Sequence, residues 1–281
     1  DVANPKLWSV DSPNLYWVRT EIIQNGKVVD RTDSRFGIRY IATNPNSGFY
    51  LNGVHTKLNG VCEHSDLGSL GMETYQAAVD RRIRTLKKYG VNAIRTSHNP
   101  VSPEFIEACD RLGMLVFEEA FDQWLYSKNS DDYHNYFNKA ADGKTVVFDK
   151  AGNDNTNNDT SYIEVKREDL QSNAERDIKA MVDRDKNAPC IFAWSTGNEI
   201  YDARYKHGEN TLDMLTGWIK EIDTTRPVAA CPPTWDNYWA NNAQQEKHLA
   251  KAEMSGFNYA TGQYDGAHSR YPNMVIFGSE T

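Results

Sequence analysis

From residue 54 onward the chain alternates short apolar runs with longer segments whose apolar residues recur at helical spacing. The short runs are "TKLNGVCEH", "VNAIRTS", "GMLVFEEA", "APCIFAWSTGNE", "PVAAC", "AEMSGFNY" and "NMVIFGSE", seven strand candidates in all. Between them, Val79, Ile83 and Leu86 mark a helix from Glu73 to Tyr89, and Gly90 stands where a C′ glycine belongs. Ser102 as N-cap and Pro103 at the first helical position open another, with Phe105, Ile106, Cys109 and Leu112 as its apolar stripe. A third helix is expected over roughly 163–186, and Leu212, Leu215, Trp218, Ile219 and Ile222 mark a fourth. Upstream the rhythm differs. Residues 15–40 read as β, with Asn25-Gly26 as a hairpin turn between two runs, and Ser47-Gly48 and Asn52-Gly53 give short turns after Tyr40.

Strand-then-helix alternation fits both a (β/α)₈ barrel and a doubly wound sheet. The polar residues decide between them. Nearly every apolar run ends in charged or hydrogen-bonding groups: Glu63-His64, Arg95 to His98, Glu118-Glu119, Asn198-Glu199, Asn258-Tyr259 and Glu280. A barrel gathers such strand ends into one ring at its C-terminal face. No G-x-G-x-x-G follows the first strand, as a dinucleotide-binding sheet would require. The expected fold class is therefore α/β, a (β/α)₈ TIM barrel. Residues 127–161 interrupt the pattern with an Asn- and Asp-rich stretch, expected to be a surface loop. It lacks the glycine and closing glutamate of an EF-hand calcium loop, and Asn158-Asp159-Thr160 is a formal glycosylation sequon.

Composition narrows the function classes. The 281 residues are 39% hydrophobic and 25% charged, enough for a large core. Mean hydropathy is −0.70, and no run approaches the ~18 apolar residues of a membrane helix, so no membrane partner is expected. A net charge of −8 without a basic patch argues against nucleic acid. The four cysteines form no C-x-x-C pair, which removes a structural zinc site; Cys62, Cys190 and Cys231 read as buried free thiols. No secretory signal opens the chain, and a signal farther upstream would leave cytoplasm, periplasm and secretion all open.

Two of the strand-end residues carry candidate chemistry. Glu199 and Glu280 close two different strands of the expected barrel at comparable depth. A pair of carboxylates facing each other across a cleft is what glycoside hydrolysis needs. One protonates the leaving oxygen, and the other attacks the anomeric carbon or activates water. The bland alternative is an inert ion-pair network with an arginine such as Arg95. The gathering of His98, Arg95, Asn198 and Tyr259 on the same face favours a site.

These residues lie in stretches that resemble glycoside hydrolase family 2, the β-galactosidases and β-glucuronidases: "FGIR" at 36–39, "LNGVCEHSDLG" at 58–68, "NAIRTSHNPVSPEFIEACDRLGMLVFEEAFDQW" at 92–124, "PCIFAWSTGNE" at 189–199 and "VIFGSET" at 275–281. The resemblance implies a retaining mechanism, with Glu199 as acid/base and Glu280 as nucleophile. It implies that Asn198 holds the sugar 2-hydroxyl, that His98, Arg95, His64 and Asp66 belong to the sugar subsite, and that Tyr259 hydrogen-bonds the nucleophile. Trp124 offers a flat apolar face of the kind sugars stack on, with a packing tryptophan as the alternative. The substrate implied is a β-linked oligosaccharide or other β-glycoside. No cofactor is required; a magnesium or sodium ion beside Glu199 comes only from the resemblance. A homo-oligomer is compatible with it.

The resemblance also divides the chain. Residues 1–40 are expected to be the last strands of an immunoglobulin-like β-sandwich, and residues 41–281 the catalytic barrel, truncated after strand seven. A piece of a longer protein is the expectation, and activity of this piece alone is not implied. Ile200 after the acid/base favours a β-galactosidase over a β-glucuronidase. A catalytically inactive carbohydrate-binding fragment is the alternative from another class. Metal-dependent hydrolysis is weaker, since no histidine pair has zincin spacing.

Overall fold

In the computed structural model, which describes residues 2–124, 173–233 and 243–281, the seven apolar runs become one parallel sheet. Its strands are β6 (Gly60–His64), β7 (Ala93–Ser97), β8 (Leu115–Glu119), β9 (Ile191–Asn198), β10 (Val228–Cys231), β11 (Met254–Asn258) and β12 (Ile276–Glu280). Each pairs with its neighbours in chain order, from β6 to β12. Every residue of β7 through β11 is buried, whereas β6 and β12 are partly exposed. Strands covered on both faces need continuous apolar runs, as these sequences show. The sheet curls until its ends approach: Arg95 Nη1 on β7 and Cys62 Sγ on β6 both reach the Ser279 carbonyl of β12, at 3.3 and 3.5 Å. The fold is a TIM barrel, seen through seven of its strands.

Helices α1 (Gln76–Lys88), α2 (Pro103–Leu112), α3 (Asn173–Asp185), α4 (Lys206–Lys220), α5 (Ala243–Lys251) and α6 (Tyr264–Arg270) connect them. Helix α1 buries Val79 and Ile83, one turn apart. Helix α2 starts as its sequence dictates: the Ser102 side chain accepts the Phe105 N–H, and Pro103 follows. It ends at Gly113 with φ 74°, a left-handed cap where an added Cβ would lie 2.2 Å from the Val10 carbonyl oxygen. Helices α5 and α6 were not expected from the sequence; both are short and weakly periodic. The calcium and sequon readings, and the first residues of the helix expected over 163–186, lie outside the described residues.

Before the barrel, β1 (Tyr16–Gln24) and β2 (Lys27–Phe36) form an antiparallel ribbon turned by Asn25 and Gly26, both at positive φ. Trp17, Val18, Ile22, Ile23, Val28 and Val29 on it are exposed. Residues read only as turns after Tyr40 instead build a small antiparallel sheet, β3 (Ile41–Asn44), β4 (Gly48–Leu51) and β5 (Val54–His55). The turn signals are there; the strands between them are too short to show a period. This sheet buries Phe49 against Phe192, and Phe192 and Phe277 both pack on Phe117. An aromatic cluster thereby fills the barrel beneath the polar strand ends.

Polar side chains fasten this N-terminal region to the barrel. Trp8 Nε1 donates to the Asp110 carbonyl, Arg35 pairs with the Asp110 carboxylate at 3.2 Å, and Asp110 accepts the Cys190 N–H. Arg39 donates to the Pro189 and Ile191 carbonyls at the base of β9. Burial, with Arg226 nearby, brings the Arg39 guanidinium down to about 10.

Candidate active site

The site grows from the period-two alternation of β8. Phe117 faces the aromatic cluster inside the barrel, so Glu119, two residues on, also faces inward, one layer higher; Glu118 points out toward Arg184 and Asp185 of α3. Arg95 of β7 reaches the same layer. Its guanidinium has five N–H groups and all five are engaged. Nε and Nη2 donate to Glu119 Oε2 at 3.1 and 2.8 Å. The second Nη2 proton goes to Asn198 Oδ1 at 2.8 Å. Nη1 serves the Ser279 carbonyl at 3.3 Å and Glu280 Oε1 at 2.7 Å.

Glu280 ends β12 and is partly exposed. Besides Arg95 it faces His98, whose Nε2 is 3.6 Å away while Nδ1 is 2.6 Å from Glu119 Oε1. The Glu280 carboxylate, by hydrogen bond and by charge, pushes the Tyr259 phenol up to about 12, with smaller contributions from burial and from Glu199. The raised phenol is a hydrogen-bond donor to the Glu280 carboxylate at neutral pH. The Tyr259 N–H also donates to the Glu280 carbonyl at 2.8 Å.

Glu199 follows the last residue of β9. Asn198 beside it donates to Asp122 Oδ1 at 3.1 Å and accepts from Asn258 Nδ2 at 3.2 Å; the same Asn258 amide reaches Glu199 Oε1 at 3.4 Å. Ser279 Oγ donates to Asn258 Oδ1 and fixes which way that amide faces. Glu199 and Tyr259 each step off their strand at positive φ, 43° and 53°. Such backbone costs of order 1 kcal/mol or more for a non-glycine residue and gathers at functional sites.

A cavity of about 500 Å³ opens beside these groups, lined by Cys62, His64, Arg95, His98, Tyr259 and Glu280 and floored by Phe117, Phe192 and Phe277. His64 stands edge-on to His98, ring centres 5.4 Å apart. It also lines a second cavity of about 230 Å³ that holds Asp66, Glu63 and Arg82. Asp66 belongs to that second space: its carboxylate accepts the Gly68 N–H, and Arg82 donates to its carbonyl.

Two expectations change. Trp124 is fully buried, with Nε1 donating to the Thr196 carbonyl and its ring near His248; it offers no face for stacking a sugar. Its length of apolar surface is used for packing. Cys62 is exposed because β6 lies at the end of the sheet, whereas Cys109, Cys190 and Cys231 are buried and free. Sequence reasoning placed Glu119 and Asn258 among the strand ends without giving them a role, and passed over Ser195. The signal for Glu119 was present in its spacing from Phe117. Among the described residues no group of three His, Cys, Asp or Glu side chains converges as metal ligands.

The model of the TIM barrel domain of glycosyl hydrolases family 2 matches residues 43–254, and a second family 2 model matches residues 1–39. A β-galactosidase of Bacteroides ovatus is 31% identical over all of this chain and 32% of its own length. A putative β-glucuronidase of Formosa agariphila is 37% identical over 80% of this chain and 18% of its own. The crystal structure of a family 2 member from Bacteroides cellulosilyticus superposes with a TM-score of 0.81 at 36% identity, covering 99% of this chain and 31% of that one. The chain thus spans a third or less of the length of these relatives.

Proposed function

This chain belongs to glycosyl hydrolase family 2, and on that footing we propose that it carries the catalytic residues of a retaining β-glycosidase acting on β-galactosides. Glu280 is the nucleophile. Its oxygen attacks the anomeric carbon as Glu199 gives a proton to the departing glycosidic oxygen, and a covalent glycosyl-enzyme forms. Glu199 then takes a proton from the water that releases the sugar. Arg95 and the Tyr259 hydroxyl orient the Glu280 carboxylate, and their partial positive charge suits an oxygen that must be anionic before attack. Asn198, its own amide anchored by Asp122, Arg95 and Asn258, is the contact for the sugar 2-hydroxyl. His64 and His98 line the subsite.

The observation that carries the reading is the convergence of Arg95, Tyr259 and His98 on the single carboxylate of Glu280 at the barrel mouth. The galactoside is favoured by Ile200 after the acid/base and by the likeness to the β-galactosidase of Bacteroides ovatus over the whole chain. The β-glucuronidase reading rests on the relative from Formosa agariphila.

The test treats the whole protein that contains this chain with dinitrophenyl 2-deoxy-2-fluoro-β-galactoside and the matching β-glucuronide, followed by peptide mass mapping. Labelling of Glu280 by the galactoside alone is expected. Labelling by the glucuronide would replace the sugar, and labelling at another residue would remove Glu280 from its role.

A further inference from the structure

Glu119 is absent from the walls of the cavity and has no exposed surface, yet it is the most connected carboxylate near the site. Oε2 accepts two N–H groups of Arg95 and the Ser195 hydroxyl at 2.7 Å. Oε1 meets His98 Nδ1 at 2.6 Å. Its backbone N–H donates to Thr96 Oγ1 at 2.9 Å. We propose that Glu119 is a positioning residue: a buried carboxylate that fixes the plane of Arg95 and the ring of His98, and through them aims Glu280 and Asn198 for reaction. This rests on the glycosidase reading of Glu280.

The geometry argues for more than a buried ion pair. A structural pair would tie Arg95 to Glu119 and stop. Here the two-pronged grip on Nε and Nη2 sets the guanidinium plane, and the three remaining N–H groups point to Asn198, the Ser279 carbonyl and Glu280. Burial pushes the Glu119 carboxyl up, but the Arg95 charge and the hydrogen bonds from His98 and Ser195 outweigh it and hold it below its ordinary value. It is thus an anion in a place where an unpaired anion could not persist.

Without that charge, Glu280 is the one carboxylate among the described residues left paired with Arg95. The guanidinium would swing from Asn198 and Ser279 and close on Glu280 with both its ends. A carboxylate gripped in this way is a poorer nucleophile and holds its proton less readily. The groups facing Glu280 are Arg95 and His98 at the end of β7, Tyr259 after β11, and Cys62 and His64 of β6 across the cavity, with the Glu199 charge reaching Tyr259. Glu119 acts on this set through Arg95 and His98 and is absent from the cavity lining itself.

The experiment compares the whole protein with its Glu119→Gln and Glu119→Asp variants, using whichever fluoroglycoside labels the parent. For Glu119→Gln, the limiting rate of inactivation should fall about 10²-fold, the loss expected when a reacting group is misplaced by about an ångström. The half-saturating concentration should hold steady, and the acid limb of the inactivation profile should move to lower pH. Glu119→Asp, which keeps the charge, should restore that limb and part of the rate. Labelling of Glu119→Gln at the parental rate would overturn the proposal. So would a loss of rate with an unmoved acid limb, which marks a merely structural role. If the parent is not labelled by either sugar, the glycosidase reading fails. The crystal structure of Glu119→Gln then decides the present point: Arg95 still bridging Asn198, Ser279 and Glu280 refutes it, and Arg95 displaced onto Glu280 supports it.

Discussion

Asp223 offers a quantitative test of how the base of β9, the strand that presents Asn198 and Glu199, is secured. Its carboxylate accepts Arg226 Nη1 at 2.6 Å, Trp194 Nε1 at 2.8 Å, and the N–H and hydroxyl of Thr225 at 2.8 and 2.6 Å. Arg226 in turn holds the Ile191 and Ala188 carbonyls. Burial works against the Asp223 anion, but Arg226 and Thr225 more than offset it and bring the carboxyl from 3.8 down to about 2. A difference of just under two pH units corresponds to about 2 kcal/mol of stability at neutral pH. Because the folded value is the lower one, this contribution is complete above the unfolded value and is lost as pH falls through the folded value. About half is gone by pH 3 and nearly all by pH 2. Asp223→Asn removes the anion and leaves Arg226 buried with carbonyl partners only, a loss of about 3 kcal/mol at pH 7. Urea unfolding of parent and variant, followed by tryptophan fluorescence, should show a gap that narrows by about 1 kcal/mol between pH 6 and pH 3. A gap that stays constant or widens over that range would refute the reasoning, since the stabilisation would then not depend on the Asp223 charge.

Three further outcomes are expected. Gly113→Ala places a Cβ at a φ of 74° and against the Val10 carbonyl, and should lower stability by about 2 kcal/mol or more in thermal or urea melts. Glu199→Ala should slow turnover of glycosides with poor leaving groups about 10²–10⁴-fold, the usual worth of an acid catalyst. It should spare the first step on dinitrophenyl glycosides and respond to added azide; equal losses on both substrates would remove Glu199 from that role. In native protein, iodoacetamide should modify Cys109, Cys190 and Cys231 far more slowly than free cysteine, because they are buried and burial raises their thiols well above the ordinary range. Mass mapping that finds a buried thiol reacting equally fast would contradict this.

The barrel was legible because each central strand is buried on both faces and so is written as an unbroken apolar run, with its polar residues at one end. The order of strands followed from the order of runs. The small sheet at 41–55 escaped notice because a strand of two to four residues carries no measurable period. In the site, the residues at strand ends stood out. Their facing did not: Glu119 closes β8 as one of two adjacent glutamates, and only its register with Phe117 shows that it faces inward while Glu118 faces α3. Trp124 failed for the opposite reason. Residue type suggests a sugar platform, but the fold turns the ring into the core, and nothing in the neighbouring letters reveals that turn.

The Arg95–Glu280 contact joins residues 185 positions apart, while every strand pairing in the barrel links chain neighbours. Neighbouring strands can zip together one after another at modest entropic cost, whereas this contact closes a far longer loop than any pairing of adjacent strands. The nucleophile consequently meets its guanidinium only when β12 docks against β6 and β7. In refolding, covalent labelling of Glu280 should lag the burial of Trp194, which makes chemical competence a clock for the docking of β12.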